Sequence, residues 1–314
     1  MTHSSELGSM PDFTYLLTQE DKAALANQAS DENLRQPRES VSAYALRLES
    51  GPQLPEDLGY VVSDFASKGN DFGALLLRGF EVDIDGPESE RAQAFGEFSL
   101  LSVAARIGRP YGYASQRNGE IIQNLTPKPE DEFKQLGTGS QTVLEWHTED
   151  AHTPLNCDVI SLLCLRGAED AATLVSQIQP SDLDPEVRRI LETPSYRISS
   201  DGSYQNTSEL TTPVLCETER GWTVRYDPLY TECATPKARV ALDMLTEYIN
   251  TKAVSIVLAK GDLLLIDNHT SVHARSTFTP RYDGKDRWLQ RAGVLSKEVL
   301  PQFVTTDDQL VINI

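Results

Sequence analysis

Cysteine is scarce in this chain. Four occur in 314 residues, Cys157, Cys164, Cys216 and Cys233, and no two stand in C-x-x-C spacing. That argues against a cysteine-built zinc site and against a dithiol redox pair, and leaves buried free thiols as the expectation. No apolar run approaches the roughly 18 residues of a membrane-spanning helix. Met1 to Met10 is polar and lacks the apolar centre of a signal peptide. A short disordered tail over 1–12 and a cytoplasmic setting are therefore expected. Positive charge is short as well: 28 Lys and Arg stand against 47 Asp and Glu, a net charge of −19. Phosphate backbones reward the opposite sign, so nucleic acid is disfavoured as a partner, while a cationic ligand would be drawn in. There is no internal repeat and no low-complexity block. Histidine is rare too, with five in the chain.

What is present is periodic. Residues 13–28, 38–48 and 55–68 carry apolar residues at helical spacing, and 90–107 does so again before Gly108-Arg109-Pro110. The run 73–80 reads as a buried strand, and 120–125 also suits a strand. The polar segment 126–142 reads as a long irregular loop, and its place just before His147 suggests a lid over a substrate. Strands are expected at 159–165, 172–179, 195–200, 213–218, 223–227, 253–258, 263–267 and 291–295, with helices at 185–193 and 235–250. Helices followed by many short strands predict an α+β chain with a mainly β core, a barrel or jelly roll with flanking helices.

The chemistry centres on Leu144-Glu-Trp-His-Thr-Glu-Asp150. On a strand, His147 and Glu149 would project from one face, because side chains two apart do. An imidazole and a carboxylate so placed supply two ligands of a facial two-His, one-carboxylate iron site. The third ligand must come from elsewhere. His3 lies in the tail. His152 stands five residues from His147, which is not the H-E-x-x-H spacing of zinc proteases, and reads as a loop or core histidine. His269 and His273 are four apart, and spacing alone does not rank them. Downstream, Arg287 and Arg291 have even separation, so on a strand both would face one way. Two inward guanidiniums need anionic partners, a protein carboxylate or a bound dianion.

Three blocks together resemble the clavaminate synthase group of Fe(II)/2-oxoglutarate oxygenases, which includes asparagine oxygenase and arginine hydroxylases. They are Leu144 to His152, Ala171 to Ser176, and Gly261 to Arg291 with its Asp267-Asn268 and His273-Ala-Arg275. The resemblance is sharp over 120–180 and 255–297 and diffuse elsewhere. It implies a double-stranded β-helix (jelly roll) in one domain over 13–314, with N-terminal helices at 13–70 and the core at about 73–300. It implies Fe(II), 2-oxoglutarate and O2 as cofactor and cosubstrates, with iron on His147, Glu149 and His273. Arg287 would bind the far carboxylate of 2-oxoglutarate with help from Thr173. Arg291 would take the substrate's α-carboxylate, with Glu149 and Gln123 near its α-amino group. Asp227 resembles an acidic position that reads the side chain. Leu229 stands where the arginine hydroxylases carry a second acid, which counts against arginine itself.

The reading is a hydroxylase of a free L-amino acid, with Lys or Arg as the first candidates, acting at the β- or γ-carbon and releasing succinate and CO2. Asparagine or citrulline, and desaturation or cyclisation of a pathway intermediate, are the alternatives, followed by a non-catalytic binding protein. Glu149 fills a coordination position that a halogenase would free for chloride, which favours hydroxylation. Antibiotic biosynthesis is the setting that the resemblance suggests. Replacing His147 by Ala should abolish 2-oxoglutarate turnover, measured as succinate release; unchanged turnover would remove the metal assignment.

Overall fold

The computed structural model describes residues 11–29, 34, 41–48, 53–86, 89–155, 157–205, 208–219, 221–297, 299 and 310–313. In chain order its strands are β1 (Thr14–Leu16), β2 (Ala74–Arg78), β3 (Arg109–Tyr113), β4 (Gln123–Leu125), β5 (Leu144–His147), β6 (Val159–Arg166) and β7 (Ala172–Gln177). Then follow β8 (Tyr196–Ser199), β9 (Glu209–Thr212), β10 (Leu215–Thr218), β11 (Gly221–Val224) and β12 (Thr231–Cys233). The last are β13 (Val254–Val257), β14 (Asp262–Asp267), β15 (Ser271–Arg275), β16 (Trp288–Leu295) and β17 (Val311–Ile312).

Two sheets carry the core. One runs β1-β2-β14-β6-β16-β3-β17, with β4 beside β3 along the same edge of β16. The other runs β13-β7-β15-β5. Leu263 to Ile266 of β14 are wholly buried, because β2 and β6 flank the strand and both its faces are covered. That explains a continuous apolar run where a half-exposed strand would alternate.

In the smaller sheet the alternation is clean. Leu174, Val272 and Ala274 face the helix Pro236–Lys252 and join its Leu242, Leu245 and Ile249 in one apolar cluster. Thr173, His273 and Arg275 face the other way, toward the larger sheet. The helix Ser89–Ile107 covers the larger sheet with Leu100, Leu101 and Val103. Each sheet thus spends its outer face on helices, and polar residues remain on the inner faces.

Several expectations are corrected. Residues 13–28 are not one helix. Thr18 and Asp21 form a capping box that starts the helix at Gln19, and the preceding residues pair in parallel with β2. The strand expected at 120–125 begins only at Gln123, that at 223–227 ends at Val224, and that at 291–295 begins earlier, at Trp288. β3, β9 and β12 went unpredicted; β3 follows directly on the Gly108 helix stop. Cys157 and Cys164 are buried, but Cys216 is exposed and Cys233 is half-buried. Most of the expected tail, residues 1–10, lies outside the described residues, as does part of the helix expected at 38–48. The segment 126–142 contains a short 3-10 turn at Pro129–Asp131 and is cross-bonded, Ser140 and Gln141 N–H both donating to Glu132 O.

Gly261 opens β14 at φ +83, and a Cβ there would stand 2.2 Å from the Phe80 carbonyl oxygen. Gly261→Ala should therefore cost about 3 kcal/mol or more in urea unfolding, by strain and backbone displacement. A loss below about 0.5 kcal/mol, the level of an ordinary surface change, would contradict this packing.

Candidate active site

Between the two sheets lies a cavity of about 400 Å³, walled by His147, Thr173, His273 and Arg275 on one side and Leu162, Leu289 and Arg291 on the other. His147 and His273 are register partners across the β5–β15 pair, with ring centroids 4.2 Å apart. Cross-strand pairing therefore brings together two residues that the chain separates widely.

Glu149 arrives differently from the expectation. β5 ends at His147, and the two residues do not share a strand. Thr148 turns away to pair with Tyr226, donating its N–H to Tyr226 O at 2.7 Å and accepting from Tyr226 N–H at 3.1 Å. Asp150 then adopts φ +57. The Asn268 side chain clamps the Glu149 peptide: Glu149 N–H donates to Oδ1 at 2.8 Å, and Nδ2 donates to Glu149 O at 3.2 Å and Cys157 O at 3.0 Å. Asn268 is wholly buried in the turn between β14 and β15.

Ligand atoms of His147, Glu149 and His273 lie within 4.8 Å of one another. His147 Nδ1 sits 2.7 Å from Glu145 O, which assigns the proton to Nδ1 and leaves Nε2 as the free donor atom. Burial holds His273 well below the ordinary imidazole range, helped by the His147 and Arg291 charges. It is therefore neutral, the ligating form, and its buried Nδ1 has no partner among the described residues. Two neutral imidazoles and a carboxylate at this spacing fit a divalent iron.

Arg291 Nη1 reaches both Glu149 carboxylate oxygens, at 2.7 and 2.8 Å, and Nη2 donates to Gln123 Oε1 at 2.6 Å. Arg287 is buried, and no carboxylate pairs with it among the described residues. Burial pushes its guanidinium down to about 10, and it lies over the Phe278 ring, 5.9 Å from the centroid. A buried cation without a partner is costly, so this position calls for an anion. A bulge separates Trp288 from Leu289, yet Arg287, Leu289 and Arg291 all line the cavity.

Arg275, also in the wall, spends its donors on the 126–142 loop, reaching Gly139 O at 2.6 Å and Thr142 O at 2.9 Å. Burial raises the Asp227 carboxyl to about 6, against the pull of His147. His152 lines the cavity without joining the ligand cluster, and its buried Nε2 has no partner among the described residues. His269 is outside the cluster, bonded to Asp158 at 2.6 Å.

Sequence reasoning missed Asn268, Gln116, Asp201 and Tyr204. The one trace of Asn268 was that Asp267-Asn268 interrupts an apolar run.

A mainly β core with this ligand set defines an iron-dependent oxygenase. Residues 63–292 match the family described as "Taurine catabolism dioxygenase TauD, TfdA family", and the chain belongs to that family. It is an Fe(II)/2-oxoglutarate-dependent dioxygenase. It is 35% identical over 239 residues to L-asparagine oxygenase of Streptomyces coelicolor, covering 71% of each chain. It is 30% identical to L-ornithine/L-arginine 3-hydroxylase of Catenulispora acidiphila, covering 88% of this chain and 93% of that one. A solved structure of asparagine oxygenase with Fe(II), 2S,3S-3-hydroxyasparagine and succinate superposes with a TM-score of 0.86 at 28% identity, over 96% of this chain and 99% of that one.

Asn268→Ala should lower divalent metal affinity about 10- to 100-fold, because it frees the peptide that carries Glu149. Calorimetric titration with Co(II) reads this; wild-type affinity in a folded variant would contradict it.

Proposed function

We propose that the enzyme hydroxylates a free, basic L-amino acid at its β- or γ-carbon. The observation that carries the reading is two arginines in one cavity with different surroundings: half-buried Arg291 is paired to Glu149, and buried Arg287 has no carboxylate partner among the described residues. His147, Glu149 and His273 would hold the iron. With 2-oxoglutarate and O2, that iron supplies oxidative decarboxylation to succinate and CO2 and oxygen insertion at a C–H bond. Arg287 would neutralise the far carboxylate of 2-oxoglutarate, and the Thr173 hydroxyl would assist it. Arg291 would take the amino acid's α-carboxylate, while Glu149 and Gln123 face its α-amino group.

Held at its head, the substrate would present its β- or γ-carbon to the metal, and the side chain would run toward Asp227. Asp227 lines the cavity, as does Asp201, and both favour a cationic side chain. The 30% relative named for ornithine and arginine supports the same choice. Leu229, where a second acid would stand, is half exposed, which weighs against arginine and toward lysine or ornithine. The 35% relative named for asparagine is the specific reason to keep a neutral polar substrate as the second reading.

We read the two sheets as those of a double-stranded β-helix, in one domain with its N-terminal helices. The loop 126–142 would cover the cosubstrate end, where Arg275 straps it. Free thiols suit a reducing, cytoplasmic compartment, and the acidic charge argues against nucleic acid. No helix among the described residues is long and apolar enough to cross a membrane.

Oxygen-dependent succinate release with the twenty common amino acids and ornithine tests the substrate class. A basic amino acid should stimulate most and gain about 16 mass units, whereas desaturation would lose about 2. No stimulation by any free amino acid would overturn the proposal. Asp227→Ala should lower kcat/KM for that basic substrate about 10- to 100-fold relative to asparagine, through loss of a charge-assisted contact.

A further inference from the structure

The residues between β8 and β9 form part of the cavity wall: Asp201, Ser203 and Tyr204 all line it. This wall does not rest on apolar packing alone. Tyr204 bridges to Gln116, and Gln205 N–H donates to Ser115 O at 2.8 Å. Two polar routes then run from it to Glu149.

The first passes through Asp150. Tyr204 Oη donates to the Asp150 carboxylate, which also accepts from Tyr111 Oη at 2.5 Å. The Tyr204 ring meets His152 edge-on, with centroids 4.5 Å apart. The second passes through amides. Gln116 Nε2 donates to Ser203 Oγ at 2.9 Å, Gln123 Nε2 to Gln116 Oε1 at 2.8 Å, and Arg291 Nη2 to Gln123 Oε1 at 2.6 Å. Arg291 is itself paired with Glu149.

Asp150 immediately follows Glu149 and sits at φ +57. Left-handed backbone costs a residue with a Cβ about 1–2 kcal/mol, so the surrounding bonds must hold it there. That conformation lets consecutive carboxylates serve different partners: Glu149 bonds Arg291, and Asp150 bonds Tyr111 and Tyr204. A purely structural carboxylate would need only core partners. One of the two tyrosines here belongs to the substrate cavity.

We propose that Asp150 is a positioning residue: through Tyr204 it fixes the segment 201–205 as the wall beside the substrate's side chain, in register with Glu149. The substrate part rests on the amino-acid reading above; the latch itself does not. Tyr204→Phe is the informative variant, since it removes one hydroxyl and keeps the ring against His152. Tyr111→Phe is its control, since it removes the other hydroxyl from the same carboxylate without touching the segment.

Hydrogen exchange on the ligand-free protein should show peptides spanning 201–205 exchanging about tenfold faster in Tyr204→Phe and at the wild-type rate in Tyr111→Phe. In the loaded enzyme, Tyr204→Phe should raise KM for the amino acid about tenfold, leave KM for 2-oxoglutarate within twofold, and release more succinate than hydroxylated product. Unchanged exchange in Tyr204→Phe overturns the latch. Faster exchange with an unchanged amino-acid KM, or equal rises in both KM values, overturns its link to the substrate. If the wild-type enzyme turns over no amino acid, the functional reading fails while the exchange result still decides the latch.

Discussion

The antiparallel pairing of β5 with β15 is the constraint on which the site depends. It sets His147 opposite His273, and the side-chain alternation of β15 turns His273 and Arg275 inward while Val272 and Ala274 seal the outer face. A one-residue slip would exchange those roles, putting two apolar residues in the cavity and the ligand into the helix interface. The apolar cluster around the helix Pro236–Lys252 therefore does more than stabilise the fold. It selects the register that makes a metal site.

Electrostatics completes what register begins. The cavity wall holds three arginines, Arg275 and Arg287 buried and Arg291 half-buried, with three fates. Arg275 bonds backbone carbonyls of a loop, Arg291 bonds the Glu149 carboxylate, and Arg287 has no carboxylate partner among the described residues, only the Phe278 ring nearby. Burial pushes Arg275 and Arg287 down to about 10, with the Arg287 charge adding to the effect at Arg275, so the protein holds cations where solvation is poor. In the proposed reading, an anionic cosubstrate would relieve that cost at Arg287. An amino acid's zwitterionic head would meet a ready-made cation and anion at Arg291 and Glu149. Asp201 and Asp227 also line the cavity, and in the proposed reading they would orient a cationic side chain by charge.

The residues proposed to hold iron and 2-oxoglutarate stand out in the sequence because they sit in dense local patterns. His147-Thr-Glu149 and the run from Gly261 to Arg291 carry apolar strands, imidazoles and guanidiniums at short spacing. The geometry of Glu149 was not legible. Two-residue alternation placed it on a strand, whereas the chain leaves the strand at Thr148 for Tyr226, a partner 78 residues away. Asn268, Tyr204 and Gln116 escaped for the same reason: each acts through a contact distant in sequence, and none is of a type that marks a site. β1 was hidden by apolar residues that suit either period, and the capping box at Thr18 was the local signal that separated them.

In the proposed reading, the two inward arginines would divide the two ligands between them. Anaerobic calorimetry on the Fe(II) protein measures this directly, titrating 2-oxoglutarate and then the amino acid into Arg287→Gln and Arg291→Gln. The account predicts that Arg287→Gln weakens 2-oxoglutarate at least tenfold, while Arg291→Gln leaves 2-oxoglutarate within about threefold and abolishes amino-acid binding. Equal weakening of 2-oxoglutarate by both substitutions, or tight 2-oxoglutarate binding without Arg287, would contradict it.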